Sequence, residues 1–318
     1  MTTTQTHRKA ARVGLATCAA LPSGDVDDER LTAALAEIGV DVEWIVWSDT
    51  DPTSLVDRID LLVLRSTWDY VDRRNEFLDW LNALNVPVLN SPEIVKWNSS
   101  KTYMLDLEAA GVPVVPTQVL DSVDQHLIPP PGADEFVVKP AIGAGSRGAQ
   151  RFYSDDPDDV ERARGHARQL IEAGSPAVIQ PYLRSVDEGS ETALLYFDGT
   201  YSHAAAKGPL LRRDQPAELV EGLYFAEEMT HRQANSAQRA VAERALTAIP
   251  GEMPLYARVD LVDDYDNDND DNNNNDATPV VLELELIEPS LFLAFDEQGA
   301  GRIARAIAHR LDPEMRTR

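Results

Sequence analysis

The sequence predicts a mixed α/β chain, with an open α/β domain first and α+β architecture after it. Three observations predict this. Short apolar runs alternate with amphipathic helical segments at the start of the chain, the punctuation of βαβ units. Asp198-Gly199 lies between two strand-like runs, a strong hairpin signal. A length of 318 residues with 43% hydrophobic content allows one large or two to three small domains and a sizeable core.

The elements follow in order. Residues 12–18 read as the first strand, and 27–38 as a helix entered past Asp25 and ended by Gly39. Residues 42–47 and 61–64 are further strands, the second an unbroken apolar run of the kind found in parallel sheets covered on both faces. Residues 72–84 form an amphipathic helix and 86–89 a short strand. Ser99 or Ser100 can cap a helix reaching about Ala110, with Gly111 as its left-handed stop and Pro113 beyond. Strands at 136–139 and 151–153 flank a glycine-rich stretch, followed by a helix over 158–173 and a strand over 178–183. Residues 193–197 and 200–203 form the hairpin, and 255–262 with 280–287 a second strand pair. Helices at 234–248 and 297–311 complete the chain. The connection 263–276 reads DDYDNDNDDNNNND, which is too polar to bury and is expected to be a disordered loop.

Acidic residues outnumber basic ones 54 to 29, for a net charge of −25. This excludes the broad basic surface that binds nucleic acid or anionic membranes, though not a local basic pocket for a phosphorylated ligand. No apolar run is long enough to span a membrane. The single cysteine, Cys18, rules out an internal disulfide framework and any multi-cysteine metal site. Arg8, Lys9 and Arg12 precede a mild apolar stretch in the layout of a signal peptide. Gly14, Thr17 and Cys18 within it, and Pro22-Ser23-Gly24 after it, suit a buried strand and its turn better, so a cytoplasmic location is expected.

The chemistry concentrates in Val280-Val-Leu-Glu-Leu-Glu-Leu-Ile-Glu-Pro-Ser290. Strand alternation puts Leu282, Leu284 and Leu286 on one face and Glu283 and Glu285 on the other. Two adjacent like charges repel unless they are solvated or neutralised, and Mg²⁺ prefers hard oxygen ligands shared with phosphates. Arg258 and Asp260 share a face of the preceding strand at the same spacing. The four residues make a mixed cluster suited to Mg²⁺, with a guanidinium for phosphate oxygens. The competing reading is a solvated strand or a structural salt-bridge network. Gly143, Gly145 and Gly148 let backbone N–H groups approach phosphates, and Ser146 and Arg147 add donors. This stretch precedes a strand and lacks the P-loop pattern, so neither P-loop nor dinucleotide binding applies. Lys139 lies just before it on an apolar strand, where a buried lysine requires an anionic partner.

These motifs stand in a set order. A helix-start lysine (Asn98-Ser-Ser-Lys101) is followed by Val137-Val-Lys-Pro140 with its glycine loop, then Val178-Ile-Gln-Pro-Tyr-Leu183. Arg-x-Asp at 258–260 and Glu-x-Glu with Pro-Ser at 283–290 complete the set. The ordered set resembles the ATP-grasp superfamily, nearest its glutathione synthetase-like branch, over almost the whole chain. The resemblance implies ATP and Mg²⁺ as cofactors and an ATP-grasp fold behind an N-terminal α/β domain. It divides the chain into a substrate domain (1–95), a lid with the glycine-rich loop (96–183) and a C-terminal metal-binding part (184–318). Lys101 and Lys139 would contact ATP phosphates together with Gly143, Gly145 and Ser146. Gln180, Tyr182 and Leu183 would line the adenine pocket, and Glu188 or Glu191 would take the ribose hydroxyls. Asp260, Glu283 and Glu285 would bind Mg²⁺, the last where the pattern usually has Asn. Arg258 would steady the transferred phosphoryl group and Lys207 the acylphosphate, with Arg212 and Arg213 as helpers or solvated residues.

The implied chemistry is attack of a substrate carboxylate on the γ-phosphate, then displacement of phosphate from the acylphosphate by a nitrogen nucleophile. Positioning and cation clamping supply most of such catalysis. A small-molecule carboxylate is the expected partner, and a homodimer is compatible with the fold. Leu64-Arg-Ser-Thr-Trp-Asp-Tyr70 follows a buried strand at the carboxyl edge of the first domain, where open α/β sheets bind ligands. Arg65 can pair with a substrate carboxylate between Trp68 and Tyr70, or with Asp69. Ser66, His203 and Ser290 join them as candidate substrate contacts; His203, His231 and His309 otherwise read as surface, hairpin or helix-end residues. The run at 65–70 and the Glu-Pro-Ser segment are also similar to the ATP-grasp group containing the cyclo-ligase that closes O-ureido-D-serine. A small-molecule kinase and a non-catalytic nucleotide sensor are the alternatives.

Overall fold

The apolar runs near the N-terminus are Arg12–Thr17 (β1), Asp41–Val46 (β2), Leu61–Ser66 (β3) and Val88–Leu89 (β4). They pair in parallel in the order β2-β1-β3-β4. β3 is buried along its whole length because both faces of the sheet are covered. Helix α1 (Asp28–Glu37) contributes Leu31 and Leu35 to one core, and α2 (Arg74–Asn82) contributes Phe77 and Trp80 to the other. In the second core Trp47 meets Phe77 edge-on at 5.1 Å between centroids. The computed structural model describes residues 11–209, 211, 219–220, 224–225, 228–264 and 278–311. Arg8, Lys9, Arg212, Arg213 and the Asp/Asn connection after Asp264 lie outside the described residues.

Two short helices follow, α3 (Pro92–Asn98) and α4 (Tyr103–Ala109). The expected cap at Ser99 or Ser100 is not used. Ser91 caps α3, accepting from the Ile94 N–H at 3.4 Å, while Ser99 donates to the Lys96 carbonyl. Next, β5 (Gln118–Leu120), β6 (Glu135–Pro140), β7 (Gln150–Tyr153) and β8 (Ala177–Pro181) form an antiparallel sheet in the order β5-β8-β6-β7. Helix α5 (Pro157–Glu172) backs it, packing Val160, Ala163 and Ala167 against Phe136 and Phe152.

The last sheet contains β9 (Thr192–Phe197) and β10 (Thr200–Lys207). β11 (Leu219–Val220) and β12 (Tyr224–Phe225) form a separate ribbon. β13 (Met229–Arg232), β14 (Tyr256–Asp264) and β15 (Thr278–Glu285) complete the sheet, in the antiparallel order β13-β10-β9-β14-β15. β9 faces two cores: Leu194 and Tyr196 pack towards α6 (Ser236–Thr247), and Leu195 and Phe197 towards α7 (Gly299–Leu311) and α1. No helix among the described residues is long and apolar enough to cross a membrane.

β15 lies at the sheet edge, where unpaired backbone groups need partners. The backbone of residues 113–115 pairs with Val281, and side chains supply partners further along. Asn98 donates to the Leu284 carbonyl at 2.8 Å and accepts from the Leu286 N–H at 2.9 Å. The Tyr103 hydroxyl accepts from the Leu284 N–H at 2.9 Å. Asn90 donates to the Tyr256 and Leu286 carbonyls and accepts from the Leu255 N–H, joining the first domain to β14 and β15. Lys101, in the turn between Asn98 and Tyr103, is thereby held against Glu283.

Candidate active site

The floor of the site is one face of β14 and β15. Arg258 stands opposite Glu285 and Asp260 opposite Glu283 in the strand register. Ala257, Val259 and Leu261 point into the core with α6, so alternation sends Arg258 and Asp260 the other way. Arg258 Nε and Nη2 donate to Asp260 at 2.9 and 3.0 Å, Nη2 also donates to Glu285, and Nη1 lies 3.4 Å from the Ser290 carbonyl. Lys207 ends β10 with its Nζ 2.8 Å from Glu191 and 3.0 Å from Asp260.

The roof comes from the antiparallel sheet that carries α5. Lys101 Nζ lies 2.7 Å from Glu283 and donates to the Gly143 carbonyl at 2.7 Å. Gly145 and Gly148 adopt φ of 58° and 76°, left-handed values that a glycine takes without strain; Ser146 between them is held at 59°. Arg147 reaches from this loop to Asp72 of the first domain at 3.2 Å. The Lys139 side chain makes no hydrogen bond or close ion pair with another described residue, while its backbone pairs with Val178 in the sheet.

Two cavities meet at this cluster. The first, about 930 Å³, runs from Lys139 and the glycine loop past Gln180, Tyr182 and Leu183 to Glu191. Arg151 stacks 3.4 Å above the Tyr182 ring, whose hydroxyl donates to Asp187 at 2.7 Å. The second, about 1440 Å³, is walled by Trp68, Tyr70, Arg258, Glu288, Ser290 and Phe292. Lys101, Lys207, Glu283 and residues 143–146 line both.

The charges are strongly coupled. Burial opposes ionisation of Glu283, yet Lys101, Lys139 and Lys207 hold its carboxyl well below the ordinary range. Burial, reinforced by Glu283 and Asp260, pushes Glu285 up against the pull of Arg258. Glu288 is pushed up to about 8 by burial and by Glu285. Lys139 is pulled down to about 8, first by burial and then by neighbouring Lys101 and Lys207.

Some expected contacts lie elsewhere. Arg65 is 2% exposed and spends its charge inside the protein, on Asp28 Oδ1 at 2.8 Å and the Pro289 carbonyl at 3.3 Å. It meets neither the cavities nor Asp69, which accepts from Trp47 Nε1. Ser66 donates to Asp28 at 2.7 Å, also away from the cavities. His203 is buried, with Nε2 2.9 Å from the Leu291 carbonyl and Nδ1 2.8 Å from Ser202 Oγ; it holds the chain behind the site. Glu188 is exposed and outside the first cavity, whereas Glu191 lines it. Trp68, Tyr70 and Ser290 do line the second cavity, as do Asp27, Asn98, Glu288 and Phe292, which the sequence alone does not single out. Glu288 stands in the Glu-Pro-Ser segment, the one signal that could have marked it.

Glu283, which lines both cavities, and Glu285, which lines the second, offer hard carboxylate oxygens, a donor set that fits Mg²⁺. Among the described residues no three acidic or imidazole groups gather closely enough to hold a metal unaided. That suits an ion which takes one or two carboxylates and completes its shell with phosphates and water. Asp260 is fully buried and lines neither cavity, its oxygens engaged by Arg258 and Lys207, so it positions those two cations.

Comparison with known proteins agrees with this architecture. The chain is 38% identical over 308 residues to the cycloserine biosynthesis protein DcsG of Streptomyces lavendulae, covering 91% of this chain and 95% of that one. It belongs to the DcsG family. Residues 13–90 match the family described as the N-terminal domain of D-cycloserine synthetase DcsG. The crystal structure of D-cycloserine synthetase DcsG superposes with a TM-score of 0.81 at 35% identity, over 95% of this chain and 100% of that one. The D-alanine–D-alanine ligase of Bacillus anthracis complexed with ATP shares the fold, with a TM-score of 0.64 at 16% identity over 97% and 99% of the two chains. The protein is an enzyme of the ATP-grasp fold, a ligase that forms a carbon–nitrogen bond with ATP and Mg²⁺.

Proposed function

We propose that this ligase activates the carboxylate of a small amino-acid-like substrate as an acylphosphate. A nitrogen of the same molecule then closes the ring, as in the cyclisation of O-ureido-D-serine. The observation that carries this reading is the meeting of the two cavities at Lys101, Lys207 and Glu283. A nucleotide in the first cavity and a carboxylate in the second would face each other across those residues. The relation to DcsG supports the substrate class.

Each charged residue has a task in that arrangement. Lys101, Lys139 and the glycine-loop N–H groups would hold the phosphates, and Glu191 the ribose hydroxyls. Mg²⁺, held by Glu283 and Glu285, would neutralise charge on the phosphate oxygens. Asp260 keeps Arg258 and Lys207 aimed at the point where the cavities join, so the cations need no reorganisation as charge develops. Trp68, Tyr70 and Phe292 wall the second cavity and limit water around the acylphosphate.

The test is an oxygen label. With ¹⁸O in the substrate carboxylate, the reading predicts one ¹⁸O in the released phosphate, since the acyl oxygen leaves with phosphorus. Unlabelled phosphate would contradict the acylphosphate route.

A further inference from the structure

The second cavity is charged on two walls. Lys101, Lys207 and Arg258 reach it from the ATP-grasp part together with Glu283, Glu285 and Glu288, and Asp25 and Asp27, in the loop leaving β1, reach it from the first domain. Of these carboxylates Asp27 is incompletely satisfied. It is only 8% exposed, and its Oδ1 accepts from the Leu293 N–H at 2.9 Å. Its Oδ2 is shielded from water and has no hydrogen-bond partner among the described residues.

The neighbouring carboxylate shows what completion looks like. Asp28 accepts from Arg65 Nε at 2.8 Å, Ser66 Oγ at 2.7 Å and the Asp25 N–H at 2.9 Å. A buried carboxylate oxygen left without a donor is costly, and such groups in native proteins call for a partner. Burial pushes the Asp27 carboxyl above its ordinary range, against the pull of Arg65 and of the Leu293 and Phe292 N–H groups.

Asp27 is also tied to the reacting end of the cavity. Residues 290–293 form one short segment: the Ser290 carbonyl accepts from Arg258 at its start, and the Leu293 N–H donates to Asp27 at its end. Between them Phe292 sits in the left-handed region at φ 51°, its ring 5.1 Å from the Arg258 guanidinium. A bulky residue rarely adopts that conformation, and here it holds Asp27 and Arg258 at fixed separation.

We propose that Asp27 is a specificity-determining residue whose free carboxylate oxygen takes the α-ammonium group of the substrate, while the substrate carboxylate lies at Arg258 and Lys207. This rests on the function proposed above and narrows its substrate class to zwitterionic α-amino acids. The ammonium would satisfy the orphaned oxygen, and the Trp68, Tyr70 and Phe292 rings favour a cation beside them. A divalent metal fits poorly, because Asp28, the adjacent carboxylate, is committed to Arg65.

The experiment compares wild type with Asp27→Asn, which keeps the shape and an acceptor for Leu293. ADP release with Mg·ATP is followed on O-ureido-D-serine and on its analogue lacking only the α-amino group. The substitution should raise KM for the amino acid by about 30-fold, the value of one charge-assisted hydrogen bond, with little change in kcat. KM for the deamino analogue should be the same in both proteins. An equal loss on both compounds, or no change on either, overturns the assignment while leaving the ligase reading intact. If the variant does not fold, the wild type decides alone: it must prefer the amino acid by a similar factor, and equal KM values overturn the proposal. Wild-type protein that releases no ADP from either compound overturns the underlying reading as well.

Discussion

Lys101 and Glu283 form a direct ion pair, Nζ to Oε1 2.7 Å, that ties the turn before α4 to edge strand β15 at the junction of the two cavities. Because Lys101 also holds the Gly143 carbonyl, the phosphate-facing loop, the lysine and the carboxylate are in place together. A nucleotide and its Mg²⁺ would take over contacts that these residues now make with one another.

Glu283→Gln should abolish Mg-dependent turnover and leave the fold intact. A metal ion supplies several kcal/mol of charge stabilisation, so loss of a ligand is expected to cost about a thousandfold in kcat/KM. Steady-state kinetics beside a thermal melt make the check. A well-folded variant with normal activity contradicts the metal assignment.

Lys139 sets a pH dependence for nucleotide binding. Its ammonium titrates near 8 in the free protein, and phosphate charges would raise that value. Binding at pH 8 should therefore take up about half a proton, and affinity should weaken as pH rises through 8. Calorimetry in buffers of different ionisation enthalpy measures the uptake. Lys139→Met should remove it; unchanged uptake in that variant would assign the proton to another group.

Glu288 predicts a stability slope of its own. Its carboxyl is raised from 4.5 to about 8 by burial, so the folded protein holds a proton that the unfolded chain has released. Stability from this source is present below about 4.5 and is lost as pH rises towards 8. Melting temperatures in chelator across that range should fall, and Glu288→Gln should flatten the fall. Equal slopes in the two proteins would show that Glu288 is not the group responsible.

Arg65 and Asp28 are predicted to matter for stability and not for substrate binding. Breaking a buried pair from one side costs about 3–5 kcal/mol. Asp28→Asn should lower the melting temperature strongly, while the folded fraction keeps its KM. A raised KM with unchanged stability would return Arg65 to the substrate site.

The floor of the site is legible in the sequence, because strand alternation fixes which of residues 258, 260, 283 and 285 share a face. The antiparallel register then sets them opposite one another. The glycine loop and Lys139 are legible for the same local reason. Arg65 is not: β3 is buried on both faces, so alternation cannot say whether the arginine meets a ligand or, as here, an internal aspartate on α1. Asn90 and Asn98 are invisible too. Their partners are backbone groups some 165 to 196 residues away in sequence, a relationship no spacing reveals. The helix expected to run to about Ala110 starts only at Tyr103, with Thr102 at its N-cap position and no side-chain cap, so Ser99 and Ser100 fall ahead of its first turn.

The most direct test of the central claim is mass spectrometry of reactions containing Mg·ATP and O-ureido-D-serine, its L-isomer, or pairs of amino acids, with ADP measured alongside. The account predicts a ring product lighter than its single substrate, formed together with ADP. A product equal to two substrates minus water, a stable phosphorylated substrate, or no ADP from any mixture would contradict it.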